Sequence, residues 1–163
     1  MKKSFLLFAF SILLANDDLS QIFKATIDKA PTLQVYCRPP LYYNKAPSKE
    51  FLKQTQALKS YTYSQYAPMI YPLLDFKMPI KKIKNQVNKS VDMVFEFSDD
   101  MSFVFQSALS GEGGDRVVVD YQAYEIEREK MDLFLEVFCP MTKRFLESHF
   151  SCKNDTTCRR SYE

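Results

Sequence analysis

The sequence predicts an α+β domain: N-terminal helices, an antiparallel β-meander over about residues 91–124, and a C-terminal helical segment, stabilised by disulfides. Three observations carry that class. Apolar residues alternate with polar ones from Val91 to Tyr124, broken by turn-forming runs. Apolar residues recur at three- and four-residue steps on either side of that region. Four cysteines, Cys37, Cys139, Cys152 and Cys158, follow an N-terminus with the grammar of an export signal.

That N-terminus has Lys2 and Lys3, then an apolar run from Phe5 to Leu14, then small Ala15. A bilayer span takes roughly 20 apolar residues, so the run is too short to cross a membrane and reads as a signal peptide over residues 1–15. Its removal leaves residues 16–163 as a single domain, secreted or periplasmic, with no integral membrane segment.

"NDDLSQIFKATIDKAP" is read as the first helix, capped by Asp17 or Asp18, with Leu19, Ile22, Phe23 and Ile27 on one face and Pro31 as its stop. "TLQVYCRPPLYYNKAP" is extended and interrupted by Pro39 and Pro40. A second helix is expected from Ser48 to about Tyr66, carrying Phe51, Leu52 and Leu58. Pro68 and Pro72 should break any helix that continues. The lysine-rich "KMPIKKIKNQVNKS" reads as a connector.

The meander follows. Val91, Met93, Phe95 and Phe97 share one face; "SDD" makes a turn; Met101, Phe103 and Phe105 share the next face. "RVVVDYQAY" reads as a further strand with Val117, Val119, Tyr121 and Ala123 aligned. Between these strands "SGEGGD" holds all three glycines of the chain, Gly111, Gly113 and Gly114. A phosphate loop runs from strand to helix with a lysine and a hydroxyl after its glycines, whereas this window runs from strand to strand. It is read as a hairpin turn, where glycine accepts positive φ.

In the last segment Phe134, Phe138, Met141 and Phe145 form a helical stripe, although Leu133, Leu135 and Val137 also alternate. High Glu, Lys and Leu content favours helix, with Pro140 either a kink or the first residue of a second helix. Four cysteines allow three pairings; Cys152–Cys158 and Cys37–Cys139 are expected. Five residues between Cys152 and Cys158 and no CxxC pair make a poor zinc site.

The 22 basic and 20 acidic residues hide an uneven split. Asn16–Ser90 holds twelve basic and five acidic residues, and Val91–Glu163 eight and fifteen. The preferred reading is that the halves pack together and neutralise one another. Without the signal the sum is neutral, which argues against a nucleic-acid partner. No catalytic constellation, cofactor motif or metal-ligand cluster is recognised: His149 stands alone, Asp99 and Asp100 lie in a turn, and Glu125, Glu127 and Glu129 lack a facing partner.

What remains is binding. Tyr61, Tyr63 and Tyr66, with Lys81, Lys82 and Lys84, are the candidate surface for another protein, since tyrosine combines apolar area with a hydroxyl. The expected function is an exported, non-catalytic protein-binding protein, of inhibitor or immunity type. The alternatives are a small apolar-ligand carrier, with Phe95, Phe103, Phe105 and Tyr121 lining a pocket, and a hydrolase.

Overall fold

The computed structural model describes residues 18–39, 48–55, 59–76, 81–83, 90–98, 100–108 and 114–150. In chain order the elements are α1 (Leu19–Ile27), β1 (Thr32–Cys37), α2 (Lys49–Thr55), β2 (Lys59–Thr62), α3 (Tyr63–Ile70), a 3-10 turn (Tyr71–Leu74) and β3 (Lys81–Ile83). β4 (Met93–Phe97), β5 (Ser102–Gln106), β6 (Arg116–Val119), β7 (Gln122–Glu125), α4 (Arg128–Phe138) and α5 (Pro140–Phe150) follow. The class is α+β as read, with helices on both sides of an antiparallel sheet in sequence order.

Local chemistry sets the helices. Asp18 caps α1 by accepting the Ser20 N–H at 3.0 Å. Ser48 caps α2, its Oγ accepting the Phe51 N–H at 3.2 Å. Pro140 opens α5 as its first residue, where its missing N–H costs no hydrogen bond.

Among the described residues seven strands join one sheet in the order β2-β1-β4-β5-β6-β7-β3, every pair antiparallel. Register places Leu33 opposite Phe97, Phe95 opposite Phe103, Phe105 opposite Val117 and Val117 opposite Tyr124. This one face meets Phe23 of α1, Tyr66 and Ile70 of α3, Phe134 and Phe138 of α4, and Leu146 of α5 in a continuous core. Ring centroids lie 3.9 Å apart for Phe23–Phe103, 4.7 Å for Phe95–Phe138 and 5.0 Å for Phe105–Phe134. Aromatic pairs at these separations add about 0.5–1.5 kcal/mol each beyond area burial. On the other face α2 lays Leu52 against Tyr36 and Val94.

Several expectations are corrected. The helix read from Ser48 to Tyr66 ends at Thr55, and Lys59–Thr62 is instead the edge strand β2, a run of four residues too short to display a period. Pro68 does not break α3; it sits inside the helix with its ring exposed, and the chain continues through Pro72 as a 3-10 turn. The lysine-rich connector contributes β3, which pairs with β7 and forms the other sheet edge. "RVVVDYQAY" is a hairpin, not one strand: Asp120 and Tyr121 take φ of 46° and 64°, the turn pattern with both central residues left-handed, and Tyr121 is 91% exposed. The stripe through Met141 stops at Pro140, leaving Met141 61% exposed. The glycine window does join neighbouring antiparallel strands, β5 and β6, although 109–113 lie outside the described residues.

The oppositely charged halves do meet. Lys53 of α2 pairs with Glu96 of β4, and Lys81 stands opposite Glu125 in the β3–β7 register. Cys37 at the end of β1 is bonded to Cys139 between α4 and α5, across 102 residues of chain. Cys152, Cys158 and residues 1–15 lie outside the described residues.

A closed loop of this length restricts the unfolded chain by about 4.7 kcal/mol on the loop-entropy argument, against a usual range of about 2–5 kcal/mol for removal of a native disulfide. Replacing Cys37 and Cys139 together by serine is expected to lower unfolding free energy by about 2–5 kcal/mol in urea titration. An unchanged midpoint would show that the helices dock without the bond.

Candidate functional site

Strand β1 leaves the sheet at Arg38, and there the chain buries charge. Arg38 is 3% exposed and Asp92 wholly buried, with Arg38 Nη1 at 3.0 Å from Asp92 Oδ1. The same nitrogen donates to Ser90 Oγ at 2.9 Å. Asp92 Oδ2 accepts the Ser107 N–H at 2.8 Å, and Ser107 Oγ is reached by Arg128 Nη1 at 3.2 Å. Arg128 also donates to Asp115 Oδ1 at 3.1 Å and Asp132 Oδ2 at 3.2 Å. Charge thus runs along one end of the sheet, across the termini of β1, β4, β5 and β6 to α4. Each carboxylate in this chain of contacts meets a guanidinium, with Ser90 and Ser107 bridging, so the arrangement braces the end of the sheet.

The other end of β1 carries the tyrosines. Tyr63 N–H donates to Pro31 O at 2.9 Å and opens α3, so the ring stands where β1 begins. Tyr63 is 44% and Tyr71 37% exposed. Both rings are held: Tyr71 donates its hydroxyl to Asp28 Oδ1 at 2.6 Å, and Tyr63 packs edge-on against Tyr66 at 5.8 Å. The Asp28 carboxylate, with burial and the neighbouring Tyr63 hydroxyl, holds the Tyr71 phenol well above its ordinary pKa.

Of the residues expected to form one docking surface, the structure gathers only some. Tyr61 is half-buried, its ring edge-on to Phe138 at 6.0 Å. Tyr66 is a correction: it is wholly buried, with its hydroxyl donated to the carbonyls of Ile27 and Ala30, so it belongs to the core. Lys81 and Lys82 lie on β3, at the opposite edge of the sheet from β2, and Lys84 lies outside the described residues. Six strand spacings of about 4.8 Å separate those edges along the sheet, too far for one compact tyrosine-plus-lysine patch. The residues named for a carrier pocket do not come together. Phe95, Phe103 and Phe105 are wholly buried among helix rings, while Tyr121 points outward from its turn. Among the carboxylates named for hydrolysis, Glu125 and Glu129 are exposed on β7 and α4, and Asp99 lies outside the described residues.

Sequence reasoning missed a cleft of about 380 Å³ on the outer sheet face, lined by Thr32, Gln34, Tyr36, Lys53, Glu96 and Asp100 with Phe97 and Ser98. Period-two geometry makes it: Gln34 stands opposite Glu96, and Thr32, Gln34 and Tyr36 follow one another on the side away from the core. Lys53 Nζ lies 2.5 Å from Glu96 Oε1, and Tyr36 donates its hydroxyl to Gln34 Oε1 at 2.9 Å. Burial pushes the Glu96 carboxyl up, but the Lys53 ammonium and the Tyr36 hydroxyl outweigh it and hold the group below the usual carboxylate range. The same contact raises Lys53, and burial with the nearby carboxylate raises the Tyr36 phenol. The only signal in the sequence was a polar alternate, Gln34 and Glu96, on strands otherwise rich in valine and phenylalanine.

Among the described residues no group of three or more His, Cys, Asp or Glu could hold a metal, and no helix is long and apolar enough to cross a membrane. Comparison with known proteins finds no matching family model, no matching curated protein and no matching solved structure.

Removing one partner of the buried pair leaves an uncompensated charge, so Arg38→Met should cost about 3–5 kcal/mol in denaturant titration, and Arg38→Met with Asp92→Leu should recover much of it. No recovery in the double variant would mean that Asp92 has a role beyond pairing. Because the Glu96 carboxyl is depressed in the fold, its stabilisation is complete above the unfolded value of about 4.3 and is lost as pH falls through the folded value. Unfolding midpoints should therefore fall more on acidification in the parent than in Glu96→Gln; parallel profiles would remove Glu96 from the account.

Proposed function

We propose that the protein is exported and acts without catalysis by binding another protein, as an inhibitor or an immunity-type neutraliser. The observation that supports this best is the pair Tyr63 and Tyr71, exposed yet fixed by neighbours. An interface side chain that is already ordered loses little rotamer freedom on association, where a mobile one costs about 0.5–1.5 kcal/mol. Tyrosine adds large contact area with a hydroxyl at the rim, the profile of an interface hot spot.

The edge strand beside them is not an open template for strand addition. The Thr62 N–H is taken by Gln65 Oε1 at 2.9 Å, and β2 is four residues long. Side chains, rather than main-chain ladders, carry the proposed contact. Export is supported by the apolar N-terminal run and by the Cys37–Cys139 bond, which persists in oxidising compartments.

The test is crosslinked capture from the native extracytoplasmic fraction, with Tyr63→Ala/Tyr71→Ala as the control. The reading expects one partner, held by the parent and lost by the double variant, with circular dichroism unchanged. Equal capture by both would place the interface elsewhere; no partner for either would end the reading. Intact mass of protein from its own host should lack Met1–Ala15, and a full-length mass with free thiols would overturn export.

A further inference from the structure

We infer that Tyr121, at the tip of the β6–β7 hairpin, is a second anchor for the partner that Tyr63 and Tyr71 contact, and that this partner is a protein surface broad enough to span both. The inference rests on the protein-binding reading and extends its interface along one end of the sheet. In a two-residue hairpin turn with both central residues left-handed, aspartate is common at the first position and glycine is strongly preferred at the second. Asp120 takes the first at φ 46° and Tyr121 the second at φ 64°. A tyrosine there carries a Cβ where glycine has none, so the turn is less stable than glycine would make it. Burial does not offset that cost, because Tyr121 is 91% exposed. Backbone strain of this kind persists where the side chain has a use beyond folding.

Topology brings this turn to the end of the sheet that holds the other tyrosines. Thr32 opens β1 opposite Thr62, the residue before Tyr63. Leu33 stands opposite Phe97, Glu96 opposite Ser102, Val104 opposite Val118 and Val119 opposite Gln122. The start of β1, the end of β2, the β4–β5 turn and the β6–β7 turn therefore share one end of the sheet. Among the described residues every non-glycine residue with positive φ lies in these two turns, Asp100 in the first at φ 66° and Asp120 and Tyr121 in the second. Four strand spacings separate β2 from β6, so the backbones that carry Tyr63 and Tyr121 are about 20 Å apart along the sheet. A standard interface buries about 800 Å² of each partner, a patch about 30 Å across. One such patch covers both anchors, whereas a small ligand reaches only one. Tyrosine at each anchor supplies a large amphipathic side chain with few torsions to order, the residue type that dominates binding at interface centres.

The experiment places the photocrosslinker p-benzoylphenylalanine at position 121, 63 or 141, one at a time, in the full chain expressed in its own host, and reads the adducts by mass. Met141 is the control, since it is 61% exposed but follows Cys139 at the opposite, disulfide-bonded end of β1. The expected result is an adduct of one common mass from positions 121 and 63 and none from 141. With that partner identified and purified, Tyr121→Gly should raise the denaturant midpoint by relieving the turn, yet weaken affinity about 30-fold, the truncation loss of a hot-spot residue. Tyr121→Ala should weaken affinity equally without raising the midpoint. A tyrosine kept only for the fold would do the reverse: Tyr121→Gly would lower the midpoint and bind as the parent does, and either result would overturn the inference. An adduct at 63 without one at 121, or two adducts of different mass, would overturn the shared interface while leaving a partner at Tyr63. Adducts at twice the chain's own mass would put a second copy there in place of a distinct partner and overturn both readings, as would no adduct from either tyrosine.

Discussion

Strand β1 ends in two residues that hold the sheet to the C-terminal helices. Cys37 is bonded to Cys139 at the α4–α5 corner, and Arg38 passes beneath α5, accepting Thr142 Oγ1 on its carbonyl at 2.7 Å while its guanidinium lies 5.5 Å from the Phe145 ring. The same guanidinium holds Asp92, whose carboxylate fixes the start of β4 and the end of β5. The contributions differ in kind. Burying two charges costs about as much as their attraction returns, so the ion pair adds little net stability. The covalent loop and the stacked rings supply the free energy; the ion pair specifies which corner receives them.

This division places the two ends of β1 in different roles. The Cys37–Arg38 end is bolted by a covalent bond and buried charge. The Thr32 end opens onto the cleft and the tyrosines. About 17 Å of strand lies between them at roughly 3.4 Å per residue, and β1 is flanked on both sides by β2 and β4. A strand held at one end and hydrogen-bonded along both edges presents its other end without rearrangement. Under the binding proposal that rigidity is an advantage, since every side chain ordered beforehand is one that association need not order.

Much of this was legible in the residues. Alternation in "VDMVFEF" and "MSFVFQ" located the central hairpin, Asp17 or Asp18 and Ser48 marked helix starts, and Pro140 marked either a kink or a helix start, of which the structure shows the second. The Cys37–Cys139 pairing, one of three that four cysteines allow, was expected because Cys152 and Cys158 are near enough in sequence to close on each other. What escaped was either very short or long-range. Four residues of β2 and three of β3 are too few for a period, and lysines in β3 read as a solvated linker. The Asp120-Tyr121 turn carries two left-handed residues without glycine or asparagine, so it sent no turn signal. The insertion of β1 between β2 and β4 depends on pairings far apart in sequence, and the cleft exists only once that insertion is made. Buried Arg38 and Asp92 looked like surface charge for the same reason: each is explained only by the other, 54 residues away.

The claim that the helical layer hangs on the Cys37–Arg38 corner is tested most directly by hydrogen exchange on the oxidised and reduced protein. The account predicts that reduction strips protection from α5, around Thr142 to Leu146, well before the β4–β5 hairpin loses its own. Unchanged α5 protection after reduction would contradict it, and would place the attachment of that helix in ring packing alone.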